Sequence, residues 1–179
     1  MKFCSNCAGP LEQRIPEGDN ALRFVCDSCG SIHYQNPKLV VGCVPEHNGR
    51  LLLCRRAIEP RHGYWTVPAG FMENGETLQQ AAARESLEEA EAVVEIGSLL
   101  AIAHVTQAHQ VHVFFRAHLV DGRYGVGVES LESRLFTAEE IPWVDLAFPS
   151  TEYALRRYLE DRDAGREHHH FTELARRAR

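Results

Sequence analysis

The sequence predicts an α+β fold: a mixed sheet flanked by helices, preceded by a small N-terminal module whose apolar residues are too few to build a core. Three observations carry this. Two C-x-x-C pairs crowd the first 29 residues, strand-like and helix-like stretches then interleave without a regular β-α-β rhythm, and 179 residues suffice for one medium domain plus a small unit. A hydrophobic content of 44% with 25% charged residues is ordinary for a globular chain and excludes a disordered or fibrous one.

The cysteines come first. Cys4 and Cys7 form one pair, Cys26 and Cys29 the other, with 18 residues between them. Four thiolates at this spacing close a tetrahedral shell around zinc, so the metal is structural and stands in for the core that about 35 residues cannot supply. Gly9 and Gly30 follow each pair where the chain must turn back. A disulfide framework is not expected without a secretory signal, and none opens the chain. Cys43 and Cys54 lie in apolar runs and read as inert buried thiols.

The remaining elements follow in order. Residues 38–44 and 51–55 read as strands joined by a turn at Asn48-Gly49, a strong hairpin signal. Residues 63–70 read as a short strand running into a loop. A helix is expected over 77–91, with Thr77 and Gln80 suited to a capping box. Strands are expected at 95–104, 111–119 and 134–136, and a helix over 150–162. The predicted organisation is therefore a module at 1–35, a main domain at 36–162 and an exposed polar tail at 163–179 that includes His168, His169 and His170.

The chemistry concentrates on the first helix. At 100° per residue, Glu88 and Glu89 fall roughly 60° and 40° to either side of Glu85, so three carboxylates share one face. Ala83, Leu87 and Ala90 lie opposite, as an apolar stripe that packs on the sheet while the acids point outward. Like charges at these spacings repel, which calls for a cation. A hard divalent ion, magnesium or manganese, takes oxygen ligands and is commonly shared with substrate phosphates. The net charge of −6 works against nucleic-acid binding, so a diphosphate ligand would be met through such cations.

The segment from Gly70 to Ala92 resembles the Nudix box, G-x5-E-x7-R-E-U-x-E-E-x-G-U with U apolar. Gly70, Glu76, Arg84, Glu85, Glu88 and Glu89 match in register; Ser86 replaces the first apolar residue, a mild change on a helix flank, and Glu91 replaces the second glycine. Glutamate at 91 disfavours the left-handed helix end that glycine would allow. The resemblance implies a Nudix-type α/β/α sandwich after a zinc ribbon, with Glu85, Glu88 and Glu89 as metal ligands and Arg84 pairing with Glu76. It also implies that the Ala69 carbonyl and an acid from a distant loop complete the metal shell, Glu129 being the first choice and Glu132 the second.

The resemblance extends over residues 2–161 and is greatest to plant chloroplast FAD diphosphatases of this family and their bacterial relatives, which implies cleavage of FAD to FMN and AMP. ADP-ribose is the next substrate in line. NADH ranks lower, because the Ser-Gln-Pro-Trp-Pro-Phe-Pro run of the NADH-cleaving branch is missing from residues 101–111. Tyr64, Trp65 and Phe71 flank the box and suit either ring stacking or core packing. A reading of another class makes the ribbon a binding module beside an inactive Nudix domain. Its basic residues Lys2, Arg14 and Arg23 are outnumbered by Glu12, Glu17, Asp19 and Asp27, which does not favour phosphate backbones. A cytoplasmic homodimer without membrane or nucleic-acid partners is expected.

Overall fold

The computed structural model describes residues 1–174, in two compact units: Met1–Pro37 and the chain from Lys38 onward. In the first unit β1 (Leu11–Arg14), β2 (Arg23–Cys26) and β3 (Ile32–His33) form a small antiparallel sheet in sequence order. Its buried apolar residues are Cys4, Val25 and Cys26 alone, so packing contributes little to it.

The second unit is a mixed sheet with two helices. Its strands are β4 (Lys38–His47), β5 (Arg50–Arg56), β6 (Trp65–Thr66), β7 (Ala69–Phe71), β8 (Val94–Val105), β9 (Gln110–Leu119), β10 (Ser130–Phe136) and β11 (His170–Glu173). The order is β10-β5-β4-β9-β8-β11, with β6 paired to β5 and β7 to β4. β4 and β9 run parallel, as do β8 and β11, and the other pairs are antiparallel.

Two helices, α1 (Leu78–Ala90) and α2 (Pro149–Asp163), cover opposite faces. Successive strand residues show this: Cys43 and Phe115 pack with Ala81 and Ala82 of α1, whereas Val44 and Phe114 pack with Ala154 and Leu155 of α2. Among the described residues no helix is long and apolar enough to cross a membrane.

α1 begins as its sequence predicts. Thr77 Oγ1 accepts from Gln80 N–H at 3.2 Å and Gln80 Oε1 accepts from Thr77 N–H at 2.8 Å, closing the capping box. Its packed face differs from the expected one. Ala90 packs as expected, but Leu87 is 53% exposed, Ala83 is only partly buried, and Ala81, Ala82 and Ser86 meet the sheet in their place. Small residues let the helix approach closely, and Ser86, on the buried face and not on a flank, donates to Ala82 O and bridges to Cys43 Sγ at 3.1 Å. The rotation carries Glu85 and Glu89 to the rim of the packed strip, where both are buried, while Glu88 stays exposed. The acids therefore do not all point outward. At the other end Glu91 takes the left-handed conformation itself (φ 48°, ψ 30°), although it is not glycine, at a cost of about 1 kcal/mol.

The polar tail expected from residue 163 onward contains a strand. β11 lies parallel to β8, pairing His170 with Ala101 through Glu173 with His104. It is anchored by Asp161 of α2, which pairs with Arg116 and accepts from His170 Nε2 at 2.9 Å and His168 N–H at 3.1 Å. His168 and His170 thus take part in a fixed polar cluster, while His169 between them is exposed; residues 175–179 of the tail lie outside the described residues.

Burial works against the charge of Asp161, but these hydrogen bonds and Arg116 prevail and hold its carboxyl below the ordinary range. A lowered folded-state pKa contributes stability that is present above the ordinary carboxylate value and is lost as pH falls through the folded one. Asp161→Ala leaves Arg116 buried without its partner and is expected to cost about 3–5 kcal/mol, read from the urea midpoint at pH 7, with the difference from the parent shrinking toward pH 2.

Candidate active site and metal centres

The N-terminal thiols are one candidate centre. The Sγ atoms of Cys4, Cys7, Cys26 and Cys29 all lie within 4.8 Å of one another, with Cys4–Cys29 at 3.7 Å and Cys7–Cys26 at 3.5 Å. A tetrahedron with 2.3 Å zinc–sulfur bonds has edges of about 3.8 Å, so the donors fit zinc. The two knuckles turn differently from expectation: Gly30 has φ +72°, but in the first knuckle Ala8 (φ 59°) makes the left-handed turn. Gly9 sits where a Cβ would strike the Ser28 side chain, so close approach selects it. His33 Nε2 lies 3.2 Å from Cys4 Sγ as a further contact at the cluster.

The second centre lies beside α1, where a cavity of about 1260 Å³ is lined by Glu85, Glu88, Glu89 and Glu129 together with Ala69, Gly70 and Arg84. β7 supplies its floor. Ala69 N–H donates to Glu89 Oε2 at 3.1 Å, and Gly70 lies so close to the Glu85 carboxylate that any Cβ would overlap it. Arg84 organises the approach: its Nε and Nη2 donate to Glu76 at 3.1 and 2.8 Å, and Nη2 also donates to Phe71 O. Its Nη1 donates to Glu85 Oε1 at 2.7 Å and Glu88 Oε2 at 2.9 Å.

Each of the three helix acids keeps one oxygen, Oε2 of Glu85 and Oε1 of Glu88 and Glu89, with no hydrogen bond among the described residues. The set is three hard anionic donors lining one cavity, the chemistry that a divalent cation prefers. Arg84 holds Glu85 and Glu88, however, and among the described residues only the four cysteines form a group of three or more metal-ligating side chains with donor atoms within 4.8 Å of one another. Burial pushes the Glu89 carboxyl up to about 8 against the Ala69 hydrogen bond, with the negative charge of Glu85 adding to it. Glu85 is raised as well, by burial and against Arg84. The hydrogen bonds from Arg84, and then that from Glu73 N–H, hold Glu76 below its ordinary value. Glu76 is thus a fixed anion, and Glu89 is a buried carboxyl with no ion pair among the described residues, on which the charge of Arg56 acts only from a distance.

Comparison with known proteins decides the family. A model described as the NUDIX domain matches residues 36–159, and one described as Nudix N-terminal, a zinc ribbon, matches residues 2–35. The chain belongs to the Nudix family. It is similar to a NUDIX hydrolase from Nitrosomonas europaea, whose crystal structure superposes with a TM-score of 0.95 at 52% identity, covering 98% of this chain and all of that one.

Among curated Nudix relatives, an ADP-ribose pyrophosphatase from Methanocaldococcus jannaschii is 27% identical over 61% of this chain and 67% of its own length. A NAD-capped RNA hydrolase NudC from Stutzerimonas stutzeri is 28% identical over 90% of this chain. The chain spans 57% of that NudC and 31% of the one from Vibrio atlanticus.

Of the residues singled out in the Nudix sequence, the structure brings Glu76, Arg84, Glu85, Glu88, Glu89 and Ala69 together and adds Glu129 from the loop before β10. Glu132 sits on β10 at 3.3 Å from Arg55, outside the cavity lining. Trp65 packs edge-on against Phe136 in the core, whereas Phe71 is half exposed on the cavity wall. Cys43 and Cys54 are buried, which pushes both thiols up to about 12.

Two cavity residues escape a sequence reading. Arg56 is buried, its Nε donates to Pro60 O at 2.9 Å, its guanidinium lies over Phe148, and no carboxylate pairs with it among the described residues. It ends an apolar strand beside Arg55, and nothing in the sequence distinguishes the two. His112 bridges Ser150 Oγ and Gln110 Oε1, each at 2.9 Å, and burial pushes it down to about 4, so it is neutral at pH 7.

Proposed function

We propose that this Nudix protein is a magnesium-dependent hydrolase that splits the diphosphate of a nucleotide, with zinc as the structural ion of the ribbon. One observation carries the reading: Glu85, Glu88 and Glu89, each with one carboxylate oxygen free of hydrogen bonds among the described residues, line one cavity together with Glu129. Divalent cations bound there supply charge neutralisation at the phosphates and activation of a water. The protein's own part is to fix the ligands. Arg84 orients Glu85 and Glu88, Ala69 orients Glu89, and the unpaired Arg56 presents a cation to the substrate's phosphates. At about 1260 Å³ the cavity exceeds the usual size of a small-molecule pocket, which suits a two-part substrate.

FAD is the substrate that the sequence resemblance favours. ADP-ribose and NADH form a second reading; the relative from Methanocaldococcus jannaschii, an ADP-ribose pyrophosphatase, supports the first of these. All three release AMP, so one assay ranks them. With magnesium and then with manganese, FAD is expected within the best group by kcat/KM. A preference of about tenfold or more for ADP-ribose or NADH overturns the FAD assignment and leaves the diphosphatase standing. Turnover of none of the three with either ion favours the ribbon as a binding module beside an inactive domain.

A further inference from the structure

The loop at residues 123–129 does more than join β9 to β10. Helices end with carbonyls that lack intrahelical partners, and in α1 Leu87 O and Ser86 O are taken by the N–H groups of Glu91 and Ala92. The last two accept from this loop: Gly125 N–H donates to Ala90 O at 2.6 Å, and Gly127 N–H to Glu89 O at 3.1 Å. Two residues on, Ala57 N–H donates to Glu129 O at 2.8 Å, and Ser130 N–H donates back to Gly127 O at 3.0 Å. The backbone of Glu129 is therefore pinned between α1 and the end of β5, while Val128 beside it is 95% exposed.

Space selects these glycines, since neither has a positive φ. A Cβ on Gly127 would overlap the Glu88 carbonyl oxygen and lie 3.0 Å from the Glu89 carbonyl carbon, both rigid helix backbone. One on Gly125 would meet the Glu91 carboxylate, which can swing away.

Resting on the reading that Glu129 joins the helix acids at the cation site, we propose that Gly125 and Gly127 are positioning residues. They latch the loop to the end of α1 and so set the Glu129 carboxylate at a fixed distance from Glu89. The helix ligand and the loop ligand share a link, because the carbonyl that holds Gly127 belongs to Glu89 itself.

The test measures Mn²⁺ affinity without substrate, by the electron-spin signal of free Mn²⁺, alongside AMP release and the thermal midpoint. The variants are Gly127→Ala, one glycine inserted between Gly127 and Val128, Glu129→Gln, Glu89→Gln, and Gly127→Ala combined with Glu129→Gln. The insertion carries the test should Gly127→Ala fail to fold, because it introduces no clash.

Gly127→Ala and the insertion are each expected to weaken Mn²⁺ binding about tenfold, as does Glu129→Gln, the scale of losing a group that orients a metal ligand. The combined variant is expected to bind no more weakly than Glu129→Gln alone, since both changes remove one function. Parental Mn²⁺ affinity in both loop variants, or losses that add in the combination, overturns the latch while the cation site stands. Unmoved affinity in Glu129→Gln and Glu89→Gln together overturns the site reading, and the latch falls with it.

Discussion

Glu89→Gln is expected to lower metal-dependent AMP release about a thousandfold, equivalent to roughly 4 kcal/mol of transition-state stabilisation, while the far-UV spectrum stays that of the parent. Glu89 is the acid with the strongest case. It is 5% exposed, and among the described residues it accepts only from the Ala69 N–H and pairs with no arginine, unlike Glu85 and Glu88. Gln fills the same volume and removes the charge that a cation needs.

The same substitution is expected to stabilise the metal-free protein. With its carboxyl raised from 4.5 to about 8 by burial, Glu89 favours the fold only while protonated. That contribution is complete below the ordinary value and is lost as pH rises through the folded one. Neutral glutamine escapes the loss, so the thermal midpoint of Glu89→Gln without divalent ions should exceed that of the parent more at pH 8 than at pH 5. Full turnover in the variant would remove Glu89 from the site. A midpoint gain that does not grow with pH would remove the argument from burial.

Removing the ion from the ribbon is expected to have the largest structural effect. Structural zinc contributes about 10–16 kcal/mol to the folding of such units, and packing here offers only Val25 and two of the thiols themselves. One zinc per chain is expected by elemental analysis. Stripping it with a strong chelator, or changing Cys26 to Ala, should collapse the amide dispersion of residues 1–37 into the unfolded range, and restoring zinc to the stripped parent should recover it. Dispersion that survives in a metal-free sample would show that the three-stranded sheet holds without an ion.

What the sequence made legible has a common physical origin, which is local spacing. Two C-x-x-C pairs, a capping box, the Asn48-Gly49 turn and acids three and four apart are each readable within a dozen residues. β8, β9 and α2 accordingly start and stop within one residue of their expected ends. The rotation of α1 was less accessible. Its burying face uses Ser86 and alanines and leaves Leu87 in solvent, and hydrophobicity favours the opposite choice.

Long-range placement was hidden altogether. The four residues of β11 show no strand pattern; their conformation comes from pairing with β8, about 70 residues away in the chain. Arg56 and His112 are ordinary in sequence and become cavity residues only because α2 and the loop before β10 close around them.

The pairing of β11 with β8 has a practical side. β8 is a twelve-residue strand, and β11 satisfies backbone groups along its outer side from Ala101 to His104. A chain cut before residue 170 would bare that stretch as an unshielded template for another molecule's backbone. The C-terminal segment thereby guards solubility, and shortened versions are the ones in which self-association should be looked for first.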